Sequence, residues 1–302
     1  MLTVSNDSEL SERNLAVSVV IPVHNEQDSI NTTIEAIDLI LAKNNINYEI
    51  ITVDDGSTDK TPQRLRELQL RHPHLLILEQ ETNLGYGAAL KTGITRSSYD
   101  KVLIIDADQT YPVHDIPDLL RLSLEFDMVV GSRVGPDAQI PLVRRSAKTV
   151  LKFLAEFLSN RDIPDLNSGF RVFKKEIALN SFHMLPDGFS FTSTLTLIAI
   201  HKGFTIHYIP TSYFKREGKS KIKPIRDTLN FFQLILRTIL YVNPLRIFMP
   251  ASLFFFVVSS VLFIIRVALG GGFLVTIILT FICGFELLVV GMLADLIDKR
   301  IR

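Results

Sequence analysis

The chain has 302 residues, enough for one α/β domain of about 200 to 250 residues and a smaller second unit. Lysine plus arginine and aspartate plus glutamate both number 32, and this lack of net charge argues against a nucleic-acid partner. Cys283 is the only cysteine, which excludes a disulfide framework and a cysteine-based metal site. Hydrophobic residues make up 47% of the chain, but charges are frequent as far as about residue 240, so the apolar excess lies near the C-terminus.

The N-terminal segment is polar. Residues 1–14 lack the basic start, apolar stretch and small-residue cleavage site of a signal peptide. We assign 1–15 to a polar tail and expect the domain that follows to remain on the side of the membrane where it is made.

Five short apolar runs predict β-strands. They are Ala16–Ile21, Glu49–Val53, Leu75–Leu78, Val102–Ile105 and Met128–Val130. The segments between them have helical spacing, as in Ile30, Ile34, Ile37 and Leu41. Strands that alternate with helices predict an α/β fold with a doubly wound, mostly parallel sheet. Because the runs are continuously apolar, we expect helices on both faces of the sheet.

Polar clusters directly follow four of these strand runs. They are Pro22–Glu26, Asp54–Ser57, Asp106–Asp108 and Gly131–Arg133. Ligands of open parallel sheets bind beyond the carboxyl ends of the strands, where these clusters should meet. Loops are polar in general, which would explain any single cluster. Carboxylates after three of the five runs instead indicate one shared crevice.

The Asp106-Ala107-Asp108 triplet indicates a divalent cation, Mg²⁺ or Mn²⁺. Mg²⁺ commonly takes one or two protein carboxylates and completes its shell with substrate phosphates. An Asp-x-Asp triplet alone also occurs in surface turns, but this one follows a buried strand run. The chain lacks a Walker loop and a Rossmann glycine fingerprint. Metal and basic side chains must therefore hold the phosphates.

Several motifs in this order resemble family 2 glycosyltransferases, and among them the polyprenyl-phosphate sugar synthases. The motifs are Val17–Glu26, Val53–Asp59, Asn83–Ala89, Asp106–Asp108, Gly131–Arg133 and Asn167–Arg171. The resemblance spans roughly Ala16 to Lys221 and implies a GT-A-like, nucleotide-sugar-binding catalytic domain at 16–222.

The resemblance also implies roles for individual residues. Around the nucleotide base and ribose it places Pro22, His24, Glu26, Asp54 and Asp55. At the diphosphate it places Asp106, Ala107 and Asp108, with the two aspartates as metal ligands, and Arg133 facing the phosphates. Asp165 matches the candidate base position and is a base or a positioning residue, so Asp165, Asp108 and Arg133 form the implied catalytic set. Thr110 departs from the family pattern, because a glutamine that helps to bind metal often occupies that position.

Two basic segments are further candidates. The first is a predicted helix at Leu142–Leu158, where Arg145, Lys148 and Lys152 lie opposite an apolar face. Arg145 and Lys148 either contact the acceptor phosphate or form a solvated face. The second contains Lys219 and Lys221 and resembles the mobile basic loop that covers the diphosphate in the family, although an ordinary surface loop is the alternative.

The C-terminal part of the chain predicts membrane attachment. A helix at Ile225–Tyr241 either lies in the membrane interface, within a 223–246 segment, or packs beneath the domain. Met249–Ile265 and Phe273–Ala294 predict two transmembrane helices, within a hairpin at 247–296, with a buried soluble hairpin as the alternative. Basic residues flank the hairpin, including the tail at 297–302, so both termini and the catalytic domain are expected in the cytoplasm.

Together these features predict an integral membrane glycosyltransferase. The expected reaction is inverting, metal-dependent transfer of a hexose from a nucleotide sugar to a polyprenyl phosphate. Alternatives are another lipid or glycan acceptor, or an inactive nucleotide-sugar-binding membrane subunit. A processive polysaccharide synthase is disfavoured, because such enzymes carry a Gln-x-x-Arg-Trp motif and this chain has no tryptophan. The sequence leaves a homo-oligomer open.

Overall fold

Valine- and isoleucine-rich runs form a mixed β-sheet, as expected for branched side chains on a buried pleated surface. The computed structural model describes residues 15–133, 156, 162–214, 244–269, 272 and 274–301. In this part of the chain the sheet has seven strands. They are β1 (Ala16–Val23), β2 (Asn47–Asp55), β3 (Leu75–Gln80), β4 (Lys101–Ile104), β5 (Met128–Ser132), β6 (Arg171–Lys174) and β7 (Ile206–Pro210).

The strand order is β3-β2-β1-β4-β6-β5-β7, and all pairings are parallel except those of β6. The predicted strands β1 to β5 and the mostly parallel sheet are confirmed. β6 and β7 were not predicted. The four residues of β6 begin with a charged residue, Arg171, which interrupts any apolar run. β7 is an edge strand and is only partly buried. Its apolar and polar residues alternate too weakly for the sequence to predict a strand.

Helices cover both faces of the sheet, as predicted. They are α1 (Ile30–Lys43), α2 (Thr61–Gln69), α3 (Tyr86–Arg96), α4 (Ile116–Leu122), α5 (Lys175–Leu179) and α6 (Phe191–His201). Successive strand side chains point to opposite faces. Val19 therefore joins a core cluster with Ile34 of α1, and Val20 joins the other cluster with Leu90 of α3 and Leu195 of α6.

Two apolar helices lie in the second compact unit of the chain. These are α7 (Leu245–Leu269) and α8 (Leu274–Ile301). They run antiparallel, with the Ser252 hydroxyl donating to the Gly284 carbonyl at 2.7 Å and the Ser259 hydroxyl to the Ile277 carbonyl at 3.0 Å. Small residues at such contacts let helix backbones approach closely.

Both helices are long and apolar enough to cross a membrane. Each has a window of mean hydropathy 2.4, of which only 11% is buried within the protein. Outward-facing apolar side chains are what a lipid environment favours, and they argue against the alternative of a buried hairpin. The predicted pair of long apolar helices is confirmed. The predicted helices at Leu142–Leu158, apart from Glu156, and at Ile225–Tyr241 lie outside the described residues.

Helix α3 approaches the sheet closely at Gly93. A Cβ atom at this position would lie 2.4 Å from Cγ1 of Val20 and 3.2 Å from Cγ2 of Val53, both fully buried side chains. Such a contact cannot be relieved without moving the helix or the strands. The glycine therefore sets the distance between α3 and strands β1 and β2.

We expect Gly93→Ala to destabilise the protein by about 1–3 kcal/mol, and to lower its melting temperature by about 2–12 °C, because it overpacks this contact. An alanine in an exposed helix would have the opposite effect. Gly188→Ala is the matched control, since a Cβ there meets nothing within 4 Å. Thermal unfolding of the full-length protein in detergent tests both variants, and equal melting temperatures would contradict the packing explanation.

Candidate active site

The crevice of the sheet opens between β1 and β4. β2 and β3 follow β1 on one side, whereas β4 pairs with β1 on the other, which makes this a topological switch point. β1 and β4 pair only from Ser18 to Val20, although β1 continues to Val23. The pairing of the two strands therefore ends at Val20, whose carbonyl accepts from the Ile105 N–H at 3.4 Å. Pro22, which has no N–H to donate, lies in the part of β1 that no longer pairs with β4.

The loops after β1 and β2 are bonded to each other. The Asn25 backbone N–H donates to the Ser57 hydroxyl at 2.8 Å, and the Thr58 N–H donates to Asn25 Oδ1 at 2.7 Å. The Glu26 N–H donates to the Thr61 hydroxyl at 2.9 Å. The structure thus brings together the first two predicted clusters, Pro22–Glu26 and Asp54–Ser57.

The His24 ring is oriented by two hydrogen bonds. Nδ1 lies 2.8 Å from the carbonyl oxygen of Asp55, and Nε2 lies 3.3 Å from Nδ2 of Asn25. A carbonyl oxygen only accepts, so the bond to Asp55 assigns a proton to Nδ1. The ring is therefore held at the carboxyl edge of the sheet in one orientation.

Asp54 and Asp55 are almost fully buried and bind backbone amides. Asp54 Oδ1 accepts from the Ser57 N–H at 3.0 Å. Asp55 accepts with both oxygens, from the Leu84 N–H at 2.7 Å and from the Gly85 N–H at 3.0 Å. Asp55 therefore anchors the loop before α3 as well as lying in the crevice. The loop belongs to the Asn83–Ala89 motif, whose sequence does not indicate that Asp55 is its partner.

Asp106 and Asp108 follow β4 and are both partly exposed, whereas Ala107 between them is buried. The Tyr86 hydroxyl donates to Asp106 Oδ1 at 3.1 Å. Burial, and then the Asp106 charge, raise the pKa of Tyr86, so that this hydroxyl remains protonated. Gly169 packs against the other side of Asp106, where a Cβ atom would lie 2.7 Å from Oδ2.

Thr110, which stands where the family often has a glutamine, orients Asp108. Its hydroxyl donates to Asp108 Oδ1 at 2.6 Å and its N–H donates to the same oxygen at 3.2 Å. Thr110 is fully buried. This threonine therefore positions a carboxylate instead of extending toward the solvent side.

The donor set of Asp106 and Asp108 fits a divalent cation that shares its ligands with a substrate. Both side chains offer hard carboxylate oxygens from one strand end, the type that Mg²⁺ and Mn²⁺ prefer. Within the described part of the chain, no group of three or more His, Cys, Asp or Glu side chains could hold a metal. A cation here would thus take other ligands from phosphates or water.

Arg133 and Asp165 form a two-pronged ion pair. Arg133 Nε lies 2.7 Å from Asp165 Oδ2, and Nη2 lies 2.8 Å from Oδ1. The side chains are only 13% and 11% exposed, and the guanidinium carbon lies 5.3 Å from the Tyr213 ring centroid. Parallel bonds of this kind fix geometry as well as charge. The end of β5 and the loop before β6 are joined here.

The ion pair bears on the role of Asp165. Burial by itself favours a raised pKa for this carboxyl, but hydrogen bonds from Arg133 and its charge outweigh burial and lower the pKa to about 2. Asp165 also accepts from the Asn167 N–H at 3.0 Å. Both of its oxygens are engaged and its basicity is low, which favours the positioning role over the base role.

Arg171 is a buried cation at the end of the Asn167–Arg171 motif, and it was not predicted as a site residue. It is 0% exposed and donates to the carbonyl oxygens of Ser168 and Thr192, both at 2.9 Å, and to the Thr196 hydroxyl at 2.7 Å. These bonds tie the loop that contacts Asp106 to α6. A charged residue in a short strand looks exposed in a sequence, and only the Asn167–Arg171 motif indicated it.

Four predicted phosphate-binding residues lie outside the described residues. They are Arg145, Lys148, Lys219 and Lys221. Their roles stay predictions. The structure does bring together the clusters after β1, β2 and β4, whereas it shows Arg133 engaged with Asp165.

Comparison with protein families agrees with this geometry. The model for glycosyl transferase family 2 matches residues 18–182, more than half of the chain and the part that carries the described crevice. The chain belongs to glycosyl transferase family 2. A second model, the GtrB C-terminal hairpin, matches residues 243–299, which include α7 and nearly all of α8. The predicted family and enzyme class are thereby confirmed.

Two curated relatives of this family 2 glycosyltransferase are similar over most of their length. The dolichyl-phosphate hexose transferase of Haloferax volcanii is 29% identical over 210 residues, which are 69% of this chain and 87% of the relative. The undecaprenyl-phosphate 4-deoxy-4-formamido-L-arabinose transferase of Klebsiella pneumoniae is 27% identical over 295 residues, 94% of this chain and 88% of the relative.

Among solved structures, glucosyl-3-phosphoglycerate synthase from Mycobacterium tuberculosis is similar in fold. Its complex with Mn²⁺, uridine diphosphate and glucosyl-3-phosphoglycerate aligns with a TM-score of 0.58 and 21% identity, covering 78% of this chain and 82% of that one. At this identity the likeness shows the fold alone. The predicted GT-A-like fold of the family 2 domain is confirmed.

We expect Asp165→Asn to lower the free energy of unfolding by about 2–3 kcal/mol at pH 7. This is the free energy that corresponds to lowering the pKa from 3.8 in the unfolded chain to about 2 in the folded protein. The folded-state pKa lies below the unfolded-state value. This stabilisation is therefore complete above about pH 4 and is lost as the pH falls through about 2. Unfolding of wild type and variant at pH 7 and pH 3 should show a smaller difference at pH 3.

The control for this variant is Glu79→Gln, which removes one partner of an exposed ion pair with Arg66. Exposed pairs contribute about 0–1 kcal/mol. Equal destabilisation by the two substitutions would contradict a special role for the buried pair.

Proposed function

We propose that this glycosyltransferase transfers a hexose from a nucleotide sugar to a polyprenyl phosphate, with inversion at the anomeric carbon and with a divalent cation. The observation that carries the proposal is the pair Asp106 and Asp108 at the β1–β4 switch point, in a chain that ends in two apolar helices. The first feature suits a nucleoside diphosphate and the second suits a lipid acceptor. Both curated relatives are named as transferases for polyprenyl phosphates.

The nucleotide is proposed to lie over the loops after β1 and β2. His24 offers an aromatic ring that two hydrogen bonds hold in place, and such a ring can stack on a base. Pro22, Glu26 and Asp54 lie on the same edge and complete the proposed base and ribose pocket. Asp55 contributes by holding the adjacent loop.

Asp106 and Asp108 are proposed to hold the divalent cation. Such an ion, when bound, offsets the negative charge of the departing nucleoside diphosphate. Tyr86 and Gly169 confine Asp106, and Thr110 confines Asp108, so both carboxylates are oriented before substrate arrives. Orientation before binding lowers the entropic cost of reaching the reactive geometry.

A phosphate acceptor accounts for the state of Asp165. A phosphate monoester has a second pKa near 6, so it is mainly a dianion at pH 7 and needs no strong base. Its oxygen forms a bond to the anomeric carbon, while the bond from that carbon to the diphosphate oxygen breaks and the electron pair leaves with the nucleoside diphosphate. Asp165 then serves to aim Arg133 at the phosphates.

The basic residues outside the described part of the chain have proposed roles as well. Arg145 and Lys148 would contact the acceptor phosphate, and Lys219 and Lys221 would cover the diphosphate. Their motif positions and charges support these roles.

The decisive experiment supplies purified full-length protein with a panel of nucleotide sugars, a polyprenyl phosphate and Mg²⁺ or Mn²⁺. We expect a glycolipid of the mass of hexosyl polyprenyl phosphate, and loss of product with a chelator. Asp108→Asn should abolish turnover and keep the fold, because it removes a proposed ligand from a partly exposed site. The matched control is Asp118→Asn, since Asp118 is 67% exposed and pairs with Arg121 within α4.

Each outcome of this assay separates the proposal from a rival. Release of nucleoside diphosphate by wild type but not by Asp108→Asn excludes an inactive binding subunit. Addition of many sugars to one acceptor would indicate a polysaccharide synthase. Transfer to water-soluble sugars with polyprenyl phosphate ignored would overturn the lipid acceptor.

The proposed membrane topology places the catalytic unit and both termini in the cytoplasm. A lipid acceptor is confined to a membrane, and a hairpin on the same chain keeps the enzyme in that membrane. Basic residues flank the hairpin at both ends. After Cys283→Ser, an impermeant maleimide applied to intact cells should label Gly272→Cys but neither Ser5→Cys nor Arg302→Cys. Labelling of one terminus from outside would contradict a hairpin with both ends inside.

A further inference from the structure

The hydroxyl of Tyr86 donates a hydrogen bond to the first aspartate of the proposed cation site. It lies 3.1 Å from Asp106 Oδ1. Tyr86 is the first residue of α3, and its ring stacks on Phe189 with centroids 5.6 Å apart and planes 21° from parallel. Neither the sequence motifs nor the comparisons assign this residue a role.

The backbone around Tyr86 is anchored from two directions. On the N-terminal side, Asp55 binds the N–H groups of Leu84 and Gly85. On the C-terminal side, the Gly87 and Ala88 N–H groups donate to the Asp187 carbonyl at 2.7 and 3.1 Å. These bonds satisfy amides at the start of α3 that have no partner within the helix, and they fix the backbone that carries Tyr86.

Asp106 is held between two neighbours. The Tyr86 hydroxyl lies at one carboxylate oxygen, and the Gly169 backbone is so close that a Cβ atom there would lie 2.7 Å from Oδ2. A partly exposed aspartate otherwise samples several rotamers. The hydrogen bond therefore selects one carboxylate orientation.

We propose that Tyr86 is a positioning residue that holds Asp106 in the orientation a nucleotide-bound divalent cation requires. This inference rests on the cation in the proposed function. Because Asp55 belongs to the proposed nucleotide pocket and also anchors the Tyr86 loop, one short segment links the nucleotide end of the crevice to the cation end. The order of that segment determines how well Asp106 is presented.

Tyr86→Phe in the full-length protein tests the inference, because it removes the hydroxyl and keeps the ring that stacks on Phe189. Free Mn²⁺ is followed by electron paramagnetic resonance as it is titrated into the protein, with UDP and with GDP in separate experiments. We expect the apparent Kd for Mn²⁺ to rise about tenfold, the change that corresponds to loss of one hydrogen bond to a charged group. Nucleotide binding without Mn²⁺ should stay within about twofold of wild type, the tolerance for a loop that keeps its anchors.

The matched control is Tyr48→Phe. The Tyr48 hydroxyl donates to Asp38 Oδ1 at 2.6 Å, so the same chemical group is lost from another tyrosine–aspartate bond. Tyr48 lies near the start of β2, at the opposite end of the strand from the crevice. Mn²⁺ binding by this variant should equal that of wild type.

The outcomes separate this inference from the proposed function. If wild type fails to bind Mn²⁺ both with UDP and with GDP, the cation site and the inference are overturned together. Wild type that binds Mn²⁺, with Tyr86→Phe binding it equally well, would overturn the inference alone. An equal loss of metal-free nucleotide binding in Tyr86→Phe would show damage to the whole loop and would also overturn the positioning role.

Discussion

The early end of the pairing between β1 and β4 is the constraint on which the site depends. The pairing of the two strands ends at Val20 and Ile104, with a last backbone bond from the Ile105 N–H to the Val20 carbonyl, and the chain continues from both strands into polar loops. Had the pairing continued, the backbone amides would have filled the space that the crevice occupies. Helices on both faces cover the remainder of the sheet, so polar groups gather at this edge, where hydrogen bonds offset the desolvation of the buried ones such as Asp54 and Asp55.

Around that opening, several of the predicted site residues that the structure describes are bonded within the protein and not only directed at a ligand. Asp55 holds the loop before α3, Asp165 holds Arg133, and Thr110 holds Asp108. Buried polar groups must find partners, and a network of satisfied bonds is rigid. The crevice thus has a layer of fixed carboxylates and amides beneath the groups that are left to meet substrate. This arrangement suits a reaction that is driven by positioning and charge rather than by a strong base.

The region that matches glycosyl transferase family 2 and the two apolar helices are different parts of the same enzyme. The catalytic unit carries the sheet and crevice, and the second unit carries the antiparallel pair α7 and α8. A polyprenyl phosphate acceptor would give a physical reason for joining them in one chain, because its hydrocarbon stays in the membrane. Small residues such as Ser252 and Gly284 let the two helices pack closely, and the Ser252 hydroxyl bonds across the contact to the Gly284 carbonyl.

The sequence by itself determined the features that are local in the chain. Apolar runs predicted β1 to β5, their continuous apolar character predicted the covering of both faces, and the motif order predicted the family. It also predicted two long apolar helices, because membrane thickness sets a length that composition reveals directly. The polar residues at the end of a strand directly follow that strand in the sequence. The clusters at Asp54 and Asp106 could therefore be located from the sequence alone.

Only the tertiary structure decided which of these groups are partners. The bonds of Asp55 to Gly85, Arg133 to Asp165 and Tyr86 to Asp106 join residues about 20 to 32 positions apart, and no local pattern encodes them. β6 was missed because its buried Arg171 reads as a surface residue until its backbone acceptors are seen. Side-chain charge can be read from sequence, but the desolvation and hydrogen bonding that set its role depend on neighbours that folding brings together.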